Sequence, residues 1–277
     1  MDLKILRAIP PWEWPENTAE TLLGILDDDH AEVSDRILAA RLACDYTVLS
    51  DRIAEALLEI VSRGDQTDAL RGTAALSLGP ALEDADTSGF DDADDTLLSE
   101  RVFHKIQQSL RELFVDAAVP QAVRRRFLEA SVRAPLDWHR QAVHRAYAND
   151  DEAWRLTGVF CMRFVGGFED EILEALESNN PDIHYQAVCA AGEWAVDAAW
   201  QHVAALVATA KTDRPLLLAA IDAVASIRPQ EAPAILADLI DADDEDIADA
   251  AYEALTMTEA LSDDDYPGEE DGDELLH

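Results

Sequence analysis

Lysine is almost missing from this chain. Its 277 residues hold 3 lysines and 18 arginines against 35 aspartates and 23 glutamates, for a net charge of −37. That balance excludes nucleic acid and anionic membrane as direct partners, because phosphate binding needs basic surface. Cysteine is also scarce. Cys44, Cys161 and Cys189 lie far apart with no CxxC spacing, so neither a zinc site nor a disulfide framework is indicated. They read as core thiols on apolar helix stripes, in keeping with a reduced cytoplasm. No apolar run approaches membrane-spanning length. The opening MDLKILRAIPPWEWP has no long apolar stretch of the kind an export signal carries. Nucleophile and phosphate motifs are lacking as well: there is no GxSxG, no P-loop and no GxGxxG. His139 and His144 stand about 140 degrees apart round a helix, so they do not share a face for a metal.

What is there is enough apolar material, at 48%, to build a core. The acid has two readings that composition leaves open. It is either a heavily hydrated surface suited to a salty cytosol or a surface selected for one partner.

A period of about thirty residues organises the chain. Candidate second helices begin with apolar Val33, Leu70, Val123, Trp154, Ile183, Leu216 and Ile247, and the last four gaps are 31, 29, 33 and 31. The gap of 53 between Leu70 and Val123 falls to 37 when the 16 residues from Glu83 to Leu98 are removed, so that acidic stretch reads as an insertion. A small residue usually sits four places into each phrase: Ala74, Gly158, Ala187, Ala220 and Ala251. Each phrase follows an amphipathic segment such as FEDEILEALES, with apolar residues at three- and four-residue spacing. Turns rich in Asp and Asn, such as ESNNPDI, supply N-caps.

The phrases LRGTAALSLG and AILADLIDADDEDIADAAYEAL resemble the HEAT repeat family, specifically its short repeats of the phycobilisome-lyase type, over about residues 15 to 258. The resemblance implies an all-α fold, an alpha-alpha superhelix of about seven helical hairpins, each covering the next one's apolar face. It also implies that Arg71, Arg124 and Arg155 form a ladder of paired arginines, with His184 replacing the arginine in the next unit. Deoxyhypusine hydroxylase, a HEAT-like enzyme, holds iron through His-Glu pairs, and no His here is followed by Glu. Residues 1–14, with Trp12 and Trp14, read as an N-terminal cap. Residues 259–277 read as a disordered acidic tail.

Two candidate sites follow. Within the 83–98 insertion, Asp84, Asp86, Ser88, the Phe90 carbonyl, Asp92 and Asp95 fall at calcium-loop positions 1, 3, 5, 7, 9 and 12, with Gly89 at 6. Asp95 replaces the usual Glu, and Asp91 takes a position that is normally apolar, so a solvated acidic spacer is the competing reading. Calcium is the one cofactor suggested. The second site is a basic centre: between Arg101 and Arg163 there are 11 bases and 7 acids. Arg125, Arg126, Arg133, Arg140 and Arg145, with Trp138 as an anchor, form a candidate partner-binding surface. The expected function is a non-enzymatic scaffold gripping an unidentified protein or peptide. Bilin attachment and mimicry of nucleic acid toward a basic protein are the alternatives.

Overall fold

The computed structural model describes residues 3–90, 96–209 and 211–263, and among them every regular element is helical. The chain divides into two compact units at the Val165–Gly166 junction. The first unit opens with the short α1 (Leu3–Leu6), followed by hairpins α2 (Thr18–Asp27) with α3 (Val33–Leu42) and α4 (Asp51–Ser62) with α5 (Asp68–Ser88). The pairs α6 (Glu100–Val115) with α7 (Gln121–Ser131) and α8 (Asp137–Tyr147) with α9 (Glu152–Met162) complete it. The second unit holds α10 (Glu169–Leu176) with α11 (Pro181–Glu193), α12 (Trp200–Ala208) with α13 (Arg214–Ile227), and α14 (Ala232–Leu236) with α15 (Glu245–Asp263). Seven hairpins thus appear among the described residues. All but the first of the second helices start two residues ahead of the apolar residue that marks the period.

The small residues do what the period requires. Ala74, Ala187, Ala220 and Ala251 are wholly buried. A Cβ on Gly158 of α9 would stand 2.6 Å from the Tyr147 nitrogen of α8, and one on Gly192 of α11 would stand 2.8 Å from Ala223 Cα of α13. These helices therefore touch backbone to backbone. Between α5 and α7 the troughs at Gly72 and Gly79 hold arginine stems instead. A Cβ would meet Arg126 Cγ at 3.1 Å and Arg133 Cδ at 2.7 Å.

Helix starts are capped as the turn composition implies. Asn180 Oδ1 accepts from the Asp182 and Ile183 amides, Asp213 from Leu216, and Asp151 from Ala153. The ends of α2 and α4 are closed by buried arginines. Arg36 Nη2 donates to the Leu26 carbonyl at 2.8 Å and Arg71 Nε to the Val61 carbonyl at 3.0 Å. Each spans ten residues and places a cation where the helix dipole is negative. At the N-terminus Trp14 packs on the core and donates to the Leu6 carbonyl at 2.9 Å, whereas Trp12 is exposed.

The insertion is not wholly a loop. Gly79-Pro80 would ordinarily end a helix, yet α5 runs on through Ser88 and includes Asp84 and Asp86. Likewise α15 continues to Asp263, five residues beyond the repeat boundary of 258 and into the stretch read as a tail. The rest of that tail lies outside the described residues.

Backbone contact at Gly158 and open space at Gly24 make opposite demands on an added methyl. Gly158→Ala should destabilise the first unit by about 1–3 kcal/mol through overpacking. Gly24→Ala in α2, with nothing within 4 Å of the new Cβ, should be neutral or stabilise by up to about 1 kcal/mol. Paired urea melts read both, and equal midpoints would refute the close contact.

Candidate functional site

In α8 the positions Trp138, Ala142 and Arg145 recur at four- and three-residue steps, and Asn149 follows just beyond the helix, so one stripe carries all four. This stripe forms one wall of a cleft of about 530 Å³ in the first unit. The end of α6 contributes Arg111, Phe114 and Val115, and the start of α7 contributes Gln121 and Arg124. Trp154, from the first turn of α9, completes the ring-bearing side. The size falls in the range of small-molecule sites.

Three features define its chemistry. First, its lining contains three arginines and no carboxylate. Several other basic residues of the first unit are paired: Arg101 and Lys105 with Glu55, Arg126 with Glu129, and Arg133 with Glu83. Arg111, Arg124 and Arg145 form no ion pair among the described residues. Second, the aromatic rings are contiguous. Phe114 lies 5.4 Å from Trp138 at 38° and 6.4 Å from Trp154 at 66°. Third, buried polar atoms are left over: Trp138 Nε1 and Arg124 Nε find no hydrogen-bond partner among the described residues. Arg124 stands ten residues after Phe114, the register in which Arg36 and Arg71 reach carbonyls. It makes no such bond, and the residue lines the cleft instead.

Trp138 is held from behind. His139 stacks against it with centroids 3.8 Å apart at 30°. The Leu136 amide donates to His139 Nδ1 at 2.8 Å, which leaves Nε2–H to donate to Ser131 Oγ at 3.0 Å. The imidazole is therefore neutral with its proton on Nε2. Burial, backed by the Arg111 charge, lowers its pKa to about 4, and the Leu136 carbonyl opposes this only in part.

The candidate residues fall into separate groups. Trp138 and Arg145 line the cleft. Arg125 donates to the Ala153 carbonyl, and Arg126 pairs with buried Glu129, which also accepts from Thr157. Arg133 pairs with Glu83 and lies over Phe160 and Phe164, 5.7 and 5.2 Å from their centroids. Arg140 is exposed outside the cleft. These residues therefore do not form one continuous basic surface. The calcium-loop expectation is corrected for its first half: Asp84, Asp86 and Ser88 are helical, and residues two apart on a helix do not face each other. Phe90 packs against the core and the Phe103 ring, and Asp92 and Asp95 lie outside the described residues. Among the described residues no group of three or more His, Cys, Asp or Glu is set to hold a metal. In the second unit His184 Nε2 meets His202 Nε2 at 2.8 Å, and His202 Nδ1 lies 3.5 Å from Glu177. Burial and the neighbouring imidazole lower the His184 pKa.

No family model matches the chain, and no curated protein does. Solved structures of helical repeat-type proteins do. Human deoxyhypusine hydroxylase in complex with glycerol is 16% identical over 93% of this chain and 88% of that one, with a TM-score of 0.41. The Escherichia coli protein YibA is 13% identical over 89% and 84%, with a TM-score of 0.44. An engineered protein is 16% identical over 87% and 68%, with a TM-score of 0.43. What is shared is an all-helical, repeat-like fold. The expectation of a non-enzymatic protein scaffold is corrected here: a protein with this kind of helical arrangement is by its name an enzyme, so the arrangement does not mark a scaffold. Bilin attachment and nucleic-acid mimicry gain nothing from these likenesses either. No helix among the described residues is long and apolar enough to cross a membrane.

His139 gives the first unit a pH signature. Its folded pKa lies below the ordinary value of 6.5, so the unfolded chain takes up the proton first and stability falls as pH drops from 6.5 toward 4. Roughly 3 kcal/mol should be lost across that window. His139→Gln should remove this part of the slope in urea melts taken from pH 7 to 4, and unchanged slopes would refute the assignment.

Proposed function

We propose that the Trp138 cleft is the working site of the first unit, and that it binds a small organic anion without transforming it. The observation that carries this is the set of three unpaired arginines lining a carboxylate-free cleft in a chain of net charge −37. Carboxylates are abundant elsewhere, and Arg36, Arg71, Arg126 and Arg133 each find one or a carbonyl, whereas the three cleft arginines do not. Three arginines lining one cleft without a counter-ion repel one another, and an anionic ligand relieves that repulsion.

Turnover is not part of this reading. Arginine stays protonated, and glutamine, asparagine and tryptophan neither shuttle protons near neutrality nor attack a substrate. His139 has both ring nitrogens engaged behind Trp138. The thirty-residue period supports placing the chain among HEAT-type repeat proteins, and three widely spaced cysteines outside any disulfide suit a reducing cytoplasm.

Titration with citrate and phenyl phosphate at low salt, followed by tryptophan fluorescence, tests the proposal. Saturable one-to-one binding of at least one of them is expected. Arg124→Gln should weaken it about 10–100-fold, the worth of one charged hydrogen bond, and added salt should weaken it further. Binding that is indifferent to salt and to Arg124→Gln would refute it.

A further inference from the structure

Resting on the anion-site reading, we infer that the charge is carried on a flat conjugated ring: the ligand class is an aryl carboxylate or aryl phosphate, not an inorganic or aliphatic anion. The cleft has two chemical halves. The guanidinium groups answer a negative charge, and nothing about them specifies what bears it. The other half is the Trp138–Phe114–Trp154 wall, whose rings already sit at the offset and tilted separations that aromatic groups prefer. A ring entering beside them extends the same series of contacts.

The packing around this wall keeps it both rigid and open. Stacking by His139, itself fixed at both nitrogens, holds the Trp138 indole in one orientation before any ligand arrives. A platform ordered in advance spares a ligand the loss of side-chain freedom. Beside Trp138 on the same helix stripe stands Ala142, where a leucine or methionine would fill the space with protein. The cleft's volume also exceeds what an inorganic anion occupies. A planar guanidinium stacks on an aromatic face as readily as it pairs with a carboxylate, so the arginines serve both halves of such a ligand.

Trp138 Nε1 is buried without a hydrogen-bond partner among the described residues. An aliphatic carboxylate would satisfy the arginines and leave the ring wall bare.

The test uses the full chain and four probes compared by calorimetry: 2-naphthoate, cyclohexanecarboxylate, inorganic phosphate and neutral 2-naphthol. We expect 2-naphthoate to bind at least 10-fold more tightly than each of the other three. Ala142→Met should abolish most of the naphthoate advantage while leaving phosphate unaffected, and Trp138→Leu should do the same if circular dichroism shows it folded. Equal affinity for naphthoate and cyclohexanecarboxylate in the unaltered protein would overturn the ring while sparing the anion site. Equal binding of 2-naphthol would overturn the role of charge, and silence from every anion would overturn the underlying reading itself.

Discussion

Neighbouring helices in each unit must bring their backbones into contact, and the chain meets that demand with side chains of one carbon or none. In five of the seven repeat phrases the fifth position is a buried alanine or Gly158, which lets the adjoining helix in, while Ile37 and Phe127 take that place in α3 and α7. The contact of Gly158 with the Tyr147 backbone holds α9 against the end of α8. That contact places Trp154, one turn earlier on α9, at the same cleft as Trp138. Phe114, Trp138 and Trp154 gather at the margin of this seam, beside the cleft.

Arginine supplies most of the positive charge, and part of its use is ordered. In the first unit, buried arginines close the ends of α2 and α4 by reaching back ten residues to a carbonyl. Others thread between helices and end on a glutamate. The third member of the carbonyl series, Arg124, breaks the pattern because α6 ends beside the rings of Phe114 and Trp138. The same residue type in the same register thus does structural work twice and is left available once.

Much of the architecture was legible from the residues. The spacing of Val33, Leu70, Val123 and their successors locates every second helix to within two residues, because small and apolar positions recur with the period of the packing itself. The cleft was legible only in part. Trp138 and Arg145 stood out as an aromatic and a cation in a basic stretch. Arg125, Arg126 and Arg133 drew equal notice from local charge density alone, which does not report that Ala153, Glu129 and Glu83 wait across the seam. Arg111, Phe114, Gln121 and Trp154 come from three different helices and share no motif. The signal that would have found Arg124 is its ten-residue distance from a helix-end carbonyl, matched against Arg36 and Arg71. The acidic stretch differs for another reason: oxygen spacing suited to a calcium loop also fits a helix that simply continues, as α5 does through Ser88.

One feature of the first unit bears on how it can move. Gly72 and Gly79 are seven apart on α5, and the arginine stems seated over them, Arg126 of α7 and Arg133 in the turn just past its end, are seven apart as well. Matching intervals make the pair a rack with two teeth. Sliding by one helical turn, about 5.4 Å, would drive both stems out of their notches together. Axial creep is therefore blocked between these two helices, and any flexing of the unit at this seam must take the form of tilt.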